Sequence, residues 1–554
     1  MQETHNTPGG ERSDGAAADR DQIADAPTRQ HDYAPGDLVG KDAGALREML
    51  TIAIPSVATM TSYTIMSFAD KLMVKDIGED PIYVSAQSNG GMMIWMLMAY
   101  ILGMNGVINS FVSQNLGAKT PERGAAYAWN GLWVGVVFYV VFMLPMVAVL
   151  PGLFGMIHQG EDQLIALETQ YGMIVILGGV FMISARSIHH YFYGMHRPNV
   201  VLVSAVIGNV TNLVLNALLI FGDAGMPTGE GWFGSVVLGP ITGGIAQVAG
   251  VLGISAMGIK GAAIATVIGG AAEFVIPFAL FVSPKYARLF GTRKAWKMSV
   301  KCLKDLFRVG AWPGMMFLNE MICWALLMMW LVPKAGKAIG DDPVLHNTVG
   351  WIALQYMHLS FMPAVGISIA TQAMVGKAMG SKRPDIAVAR TMLALKITVG
   401  YMGLCALVFV VFRTGLIDMF INAETEPATR ARMIGIGSSI MIAAAVFQLF
   451  DAVAITMTGA LRGAGDTVWP GVVTIVLSWV CIPGVGLVLI YTMPELGSLG
   501  PWIGASLYII GLGIALGLRF KGGKWKTMSL VDSGGSVDLD PFDDVMPDPT
   551  MGTG

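Results

Sequence analysis

What this 554-residue chain lacks narrows it first. Only 13% of its residues are charged and 54% are hydrophobic, whereas a soluble globule usually carries about a quarter charged residues, so a water-soluble domain is excluded. The four cysteines, Cys302, Cys323, Cys405 and Cys481, lie at scattered spacings in or beside apolar segments, which gives no disulfide framework and no metal cluster. There is no Gly-x-x-x-x-Gly-Lys-[Ser/Thr] loop to bind ATP phosphates. No His/Asp or Cys/His cluster and no nucleophile with its base stands out, so neither an enzyme, a cofactor nor a nucleic-acid partner is expected. The first 45 residues are polar, acidic and rich in Gly, Ala and Asp; without the basic start and short apolar core of a signal peptide, they read as a disordered cytoplasmic tail. Residues 521–554 read as a second one, and the spacing of Asp538, Asp540, Asp543, Asp544 and Asp548 is not that of a calcium loop.

What is present is a series of apolar segments of roughly 20 or more residues, each long enough to cross a ~30 Å hydrocarbon core. They predict an all-α integral membrane protein with twelve transmembrane helices, at 48–75, 88–115, 125–151, 164–193, 199–222, 259–283, 309–333, 347–376, 388–421, 432–460, 467–492 and 498–520. Lys and Arg fix the orientation. With the N-terminus inside, the run from Lys285 to Arg308, and Lys119, Arg123, Lys377, Lys382, Arg383, Arg462 and Arg519 fall on the cytoplasmic face. Both termini are then cytoplasmic. An insertion at 223–258 contains an apolar stretch, 235–255, that could pass for a thirteenth helix. A crossing there would flip everything downstream and put the 285–308 run outside, so a re-entrant or interfacial element on the outer side is expected.

The same short phrase occurs twice. Gly117-Ala118-Lys119-Thr120-Pro121-Glu122 recurs 263 positions later as Gly380-Ser381-Lys382-Arg383-Pro384-Asp385, each time between two apolar segments. Pro55 and Pro313 open the first helix of each half, and Gly103 and Gly366 keep the 263-residue offset. The chain thus reads as two copies of a six-helix unit, an N-lobe (46–283) and a C-lobe (309–520), joined by a basic cytoplasmic linker (284–308). Six is even, so both halves enter the membrane in the same sense and a pseudo-twofold along the membrane normal relates them. Two such halves enclosing a cleft imply a carrier.

Charges inside membrane helices cost roughly 2.5–3.5 kcal/mol each on insertion scales, so they are functional candidates. Asp70, Glu320 and Asp451 stand out. In the first helix Ser56, Thr59, Tyr63, Ser67 and Asp70 fall on one narrow face, which must look into a cavity or a partner helix. Asn209, Asn212 and Asn216 share a face of the fifth. Their amide oxygens with the Asp70 carboxylate offer an oxygen shell for a hard cation such as Na⁺, or else hydrogen bonds between helices. Glu320 and Asp451 each lie about eleven residues, about 17 Å, from their cytoplasmic edges, so they share the midplane, with Gln448 and Thr458 on the Asp451 face. Two such carboxylates cannot both stay ionised cheaply, so one can carry a proton. His189-His190 could form a proton relay, although adjacent residues point in different directions. The 38 methionines suit either an adaptable cavity or lipid-facing filler.

Taken in order, several motifs resemble the multidrug and toxic compound extrusion (MATE) family. They are Phe111-Val112-Ser113-Gln114-Asn115-Leu116-Gly117-Ala118-Lys119, Asn212-x-x-x-Asn216 running into Leu219-Ile220-Phe221-Gly222, Gly261-Ala262-Ala263-Ile264-Ala265-Thr266, Pro313 with Glu320, and Asp451 followed by 459–467. The resemblance spans 46–520, and the Glu320/Asp451 pair is similar to that of the NorM-like branch. It implies two six-helix bundles around a V-shaped cleft and cation-driven export of organic, often cationic compounds. It implies cation-coupling roles for Asp70, Asn212 and Asn216 in the N-lobe, and coupling or substrate roles for Glu320, Asp451 and Gln448 in the C-lobe. Asn216 stands where some relatives have aspartate, Lys377 where glutamine is frequent, and the insertion before Gly258 is unusual. The coupling ion, Na⁺ or H⁺, stays open. The expected partners are small organic substrates and the lipid bilayer of a plasma or inner membrane, and the expected state is monomeric. The alternative, a flippase for a lipid-linked oligosaccharide or related polyprenyl substrate, would want several Arg or Lys in its cavity. Arg186 and Arg413 are the exceptions to their near absence.

Overall fold

The structure, a computed structural model, describes residues 42–78, 82–158, 160–226, 239–421 and 425–531. The chain divides into two units, 1–47 and 48–554; the described part of the first is the start of one helix, and the second carries all that follows. No strand occurs among the described residues. Twelve helices are long and apolar enough to cross a membrane. They are α1 (Gly44–Lys75), α2 (Ile82–Gly117), α3 (Pro121–Ile157), α4 (Asp162–Gly194), α5 (Pro198–Ala224), α6 (Ile259–Phe281), α7 (Val300–Ala338), α8 (Pro343–Gly380), α9 (Pro384–Asp418), α10 (Pro427–Ala464), α11 (Val468–Thr492) and α12 (Leu499–Lys521). The twelve expected spans match these one for one. Proline opens α3, α5, α8, α9 and α10, where its missing N–H costs nothing and its fixed φ suits a first turn.

Three features differ from expectation. First, α7 starts at Val300 rather than near 309, because Ser299 caps it by accepting from the Cys302 N–H. Second, the linker is fastened to α3. Trp129 Nε1 donates to the Thr292 carbonyl at 2.7 Å, Trp133 Nε1 to that of Trp296 at 2.8 Å, and Asn130 Oδ1 accepts from the Ser299 N–H at 2.9 Å. Third, the start of the C-terminal tail packs. Trp525 is fully buried, stacks on Phe520 with centroids 4.7 Å apart and donates to its carbonyl. The tails 1–41 and 532–554 lie outside the described residues.

Residues 227–238 of the insertion also lie outside them, but Gly239–Leu252 is a helix of 14 residues. At 1.5 Å per residue it spans about 21 Å, too short to cross a ~30 Å core. Among the described residues, twelve helices are of spanning length and this one is not.

The repeat is visible in backbone geometry. Lys119 and Lys382, 263 positions apart, are both left-handed, with φ of 63° and 58°. Thr120 N–H bonds the Asn115 carbonyl and Arg383 N–H that of Ala378, both at 2.9 Å. The two turns then meet reciprocally. A Cβ on Gly117 would fall 2.0 Å from the Lys377 carbonyl oxygen, and one on Gly380 would fall 1.9 Å from that of Gln114; Lys377 is the repeat partner of Gln114. Such mutual contact is what a twofold produces. Gly103 and Gly366 repeat the pattern one level deeper, a Cβ there falling 2.5 Å from the Pro313 carbonyl oxygen and 2.6 Å from the Val57 Cα.

Hydrogen bonds between the lobes gather around these turns, at the end bearing the basic residues. Ser110 Oγ donates to the Arg462 carbonyl at 2.7 Å, Gln114 Nε2 to that of Gly463 at 2.9 Å, Gln372 Nε2 to that of Gly106 at 2.8 Å, and His196 bonds the Ala373 carbonyl at 3.1 Å. The tail joins them, for the Leu530 N–H donates to Gln114 Oε1 at 2.8 Å.

Candidate functional site

The expected N-lobe residues do converge. Helix spacing puts Asn212 and Asn216 one turn apart on α5, and α1 lays Asp70 across them. Asn216 Nδ2 donates to Asp70 Oδ1 and lies 3.0 Å from the Asn212 side-chain oxygen. With its amide turned so that the nitrogen faces the carboxylate, Asn212 also donates to Asp70, at 2.9 Å, and its oxygen accepts from the Thr266 N–H at 3.2 Å. The shell expected to be all oxygen is here a carboxylate held by amide N–H groups. One oxygen is left over: Asn216 Oδ1 is buried and accepts no hydrogen bond among the described residues.

The polar stripe on α1 serves several purposes. Ser56 and Thr59 are buried and bond back to the Ile52 and Pro55 carbonyls. Ser67 is exposed. Ser62, outside the stripe, accepts from Asn209 at 3.1 Å.

Tyr63 points to a residue the sequence reading passed over. Its hydroxyl donates to Glu273 of α6. The His189 ring, 1% exposed, has Nδ1 3.7 Å from the same carboxylate, and the Arg186 guanidinium lies 4.8 Å from the Tyr63 ring centroid. Arg186, Asp70, Asn209, Asn212, Thr266 and Glu273 line one cavity of about 120 Å³. A further carboxylate, Glu168 of α4, is fully buried between Asn89 at 2.7 Å and His158 at 3.0 Å. The signal for both was available, since each is an acid within an apolar span. Their partners were not, because Tyr63 and Glu273 are 210 positions apart.

In the C-lobe, Glu320 accepts from the Tyr508 hydroxyl at 2.7 Å. Asp451 lies within electrostatic reach of Glu320, and so does Arg462. Gln448 is turned elsewhere: buried, it donates to Ser360 Oγ of α8 at 2.7 Å, so it ties α10 to α8. Arg413 bonds its own helix at the Val410 carbonyl. The His190 ring lies beside Tyr193, with centroids 6.1 Å apart.

These two lobes, each with its acidic group at membrane depth, have relatives. The MatE family model matches residues 55–218 and 320–489, one stretch in each lobe. The chain belongs to the MatE family. It is 24% identical over 497 residues to a probable multidrug resistance protein NorM of Pseudomonas aeruginosa, covering 88% of this chain and 90% of that one. A protein of the same description from Mesorhizobium japonicum is 25% identical over 481 residues, covering 83% and 90%. Among solved structures, a MATE protein in complex with MaL6 superposes with a TM-score of 0.73 at 19% identity, over 87% of this chain and 98% of that one. A eukaryotic MATE transporter gives 0.68 at 17%, over 87% and 97%. Those likenesses establish the shared twelve-helix fold.

Proposed function

We propose that this MatE-family chain is a cation-coupled antiporter that exports amphipathic, often cationic organic compounds by alternating access, with Na⁺ or H⁺ as the coupling ion. The observation that carries this reading is the combination of a reciprocal contact between lobes at one end with a buried acidic site inside each lobe. Contacts as close as Gly117 to Lys377 and Gly380 to Gln114 favour two discrete packings over continuous deformation, which is what alternating access needs. With the basic end cytoplasmic, the lobes are closed toward the cytoplasm, and both termini lie there in a plasma or inner membrane. The multidrug resistance named for the bacterial relatives supports the substrate class, and the protein works as a monomer without a cofactor.

Each lobe has its part. In the N-lobe, Asp70 takes the cation, and Asn216 Oδ1 with the Asn212 amide offers further ligands once the amides turn. In the C-lobe, Glu320 and Asp451 supply negative charge for a cation or a cationic substrate, with Tyr508 orienting Glu320. An ion shifts the balance of states only through unequal affinity for them. A flippase of pyrophosphate-linked lipids would want a basic cavity, yet among the described residues Arg186 is the sole basic side chain lining the cavity beside Asp70. Reconstituted vesicles given a Na⁺ gradient and a pH gradient in separate experiments test the reading. Export of an amphipathic organic cation should follow one gradient or both. Export indifferent to either would refute it.

A further inference from the structure

We infer that Glu273 and Arg186 act as a fixed pair of opposite charges that leaves the N-lobe cavity with one net negative charge, that of Asp70, and so matches it to a single monovalent cation. The inference rests on the reading of Asp70 as the group that takes the cation, and gives a role to two residues outside the Asp70 group. Neither is an ion ligand; together they set how tightly the ion is held.

The placement is built from several helices. Two glycines bring α5 and α6 together: a Cβ on Gly208 would lie 3.0 Å from the Glu273 Cβ, and one on Gly269, a turn before Glu273, would lie 2.8 Å from the Asn212 Cβ. That contact puts Glu273 on the same cavity as the amides that hold Asp70. From α1 the Tyr63 hydroxyl donates to Glu273. From α4 the Arg186 guanidinium lies over the Tyr63 ring, 4.8 Å from its centroid, and within electrostatic reach of the Glu273 carboxylate. Tyr63 thus serves both charges, with its hydroxyl for the anion and its ring face for the cation.

The charge count follows. Asp70, Arg186 and Glu273 line the cavity of about 120 Å³, and its other lining side chains, among the described residues, are uncharged. The titratable groups around it are His189, with Nδ1 3.7 Å from Glu273, His190 and Tyr193, within reach of Arg186, Tyr171, within reach of Asp70, and Tyr63 itself. At pH 8 all of these are neutral, since a phenol ordinarily ionises at about 10 and an imidazole at about 6.5. Two acids and one base therefore leave one negative charge, in a setting where charges several ångströms apart still interact.

One monovalent cation brings that cavity to neutrality. Without Arg186 the ion would meet two negative charges and leave slowly. Without Glu273 its arrival would strand a positive charge at low dielectric, which is costly. The pair keeps the ion's affinity where it can both enter and leave, as conduction through any ion site requires.

Equilibrium binding of radioactive Na⁺ to the purified full-length protein in detergent at pH 8 tests this with E273Q, R186Q and the double variant. Affinity should follow net charge: weaker by about tenfold in E273Q, tighter by about tenfold in R186Q, and within about threefold of wild type in the double variant. Should wild type bind no Na⁺, the same order is read on the proton, as the pH midpoint of the infrared carboxylic-acid band that D70N abolishes: lower in E273Q, higher in R186Q and restored in the double variant. A loss in E273Q that the double variant does not recover would make Glu273 a ligand or a structural acid and overturn the inference, as would affinity unmoved in both single variants. Should R186Q not fold, E273Q against the double variant decides. Wild type with neither Na⁺ binding nor an Asp70 band would refute the cation site itself and the inference with it, whereas a wild-type response without this order refutes the pairing alone.

Discussion

Glu320 and Asp451 show what one atom can decide. Changing each carboxylate to its amide keeps the shape and removes a charge that costs roughly 2.5–3.5 kcal/mol to place in a membrane helix, and with it the charge that would hold a cation. Glu320→Gln and Asp451→Asn should each reduce gradient-driven export in vesicles to the leak rate without lowering the melting temperature; export near wild type in both would remove them from the mechanism. His196 acts between the lobes. In the turn between α4 and α5, burial first, then Lys377, pushes its imidazole down to about 4, against the opposing pull of Glu48 and of its bond to the Ala373 carbonyl. The unfolded chain, near 6.5, binds the proton more readily than the folded one, so stability rises with pH across this window. His196 should thus have little effect above pH 6.5, cost stability progressively as pH falls toward 4, and add nothing further below. Melting curves of wild type and His196→Gln at pH 7 and pH 5 check this, and the substitution should flatten the difference. An equal pH 5 loss in both would assign that loss to other groups.

Among the elements, the paired turns after α2 and α8 carry the lobe contact. Their glycines are required by contact rather than by φ, for a methyl on either would enter a backbone carbonyl of the other lobe. Gly117→Ala and Gly380→Ala should each weaken the closed arrangement by about 1–3 kcal/mol, the usual cost of overpacking. A cysteine at the buried Ser113 should then label faster in both variants; unchanged labelling would mean the turns do not hold the lobes. The segment after α12 is a second fastening. Trp525 is rooted in the C-lobe core, while Leu530 packs on the N-lobe core and reaches Gln114. Truncation after Lys524 should speed the same labelling without unfolding either lobe. If it leaves the rate untouched, the segment only decorates the surface.

For the whole molecule the main expectation is parity. In a variant lacking the four native cysteines, Met298→Cys, exposed before α7, should label only from the cytoplasm, and Ala338→Cys, at the far end of α7, only from outside. Both labelling from one side would break the twelve-crossing topology. Much of this scale is additive along the chain: lengths of apolar runs, the sign of the flanking charges, and a phrase repeated at 263 residues. That additivity is why the twelve spans are legible in the sequence.

Local spacing determined which side chains share a helix face, because a 3.6-residue period needs no neighbours. It put Asn212 beside Asn216 and stacked Tyr63 below Asp70. An acid in an apolar helix is equally a sequence fact, so Glu273 and Glu168 were there to be found. Which faces meet is not local, since it depends on how closely two helices approach and at what angle. Only tertiary packing turned Gln448 toward Ser360, brought Tyr508 to Glu320 from 188 positions away, and set amide nitrogens rather than oxygens against Asp70. It also brought Gly117 and Gly380 to rest on each other's repeat, where the absence of a side chain lets two backbones touch.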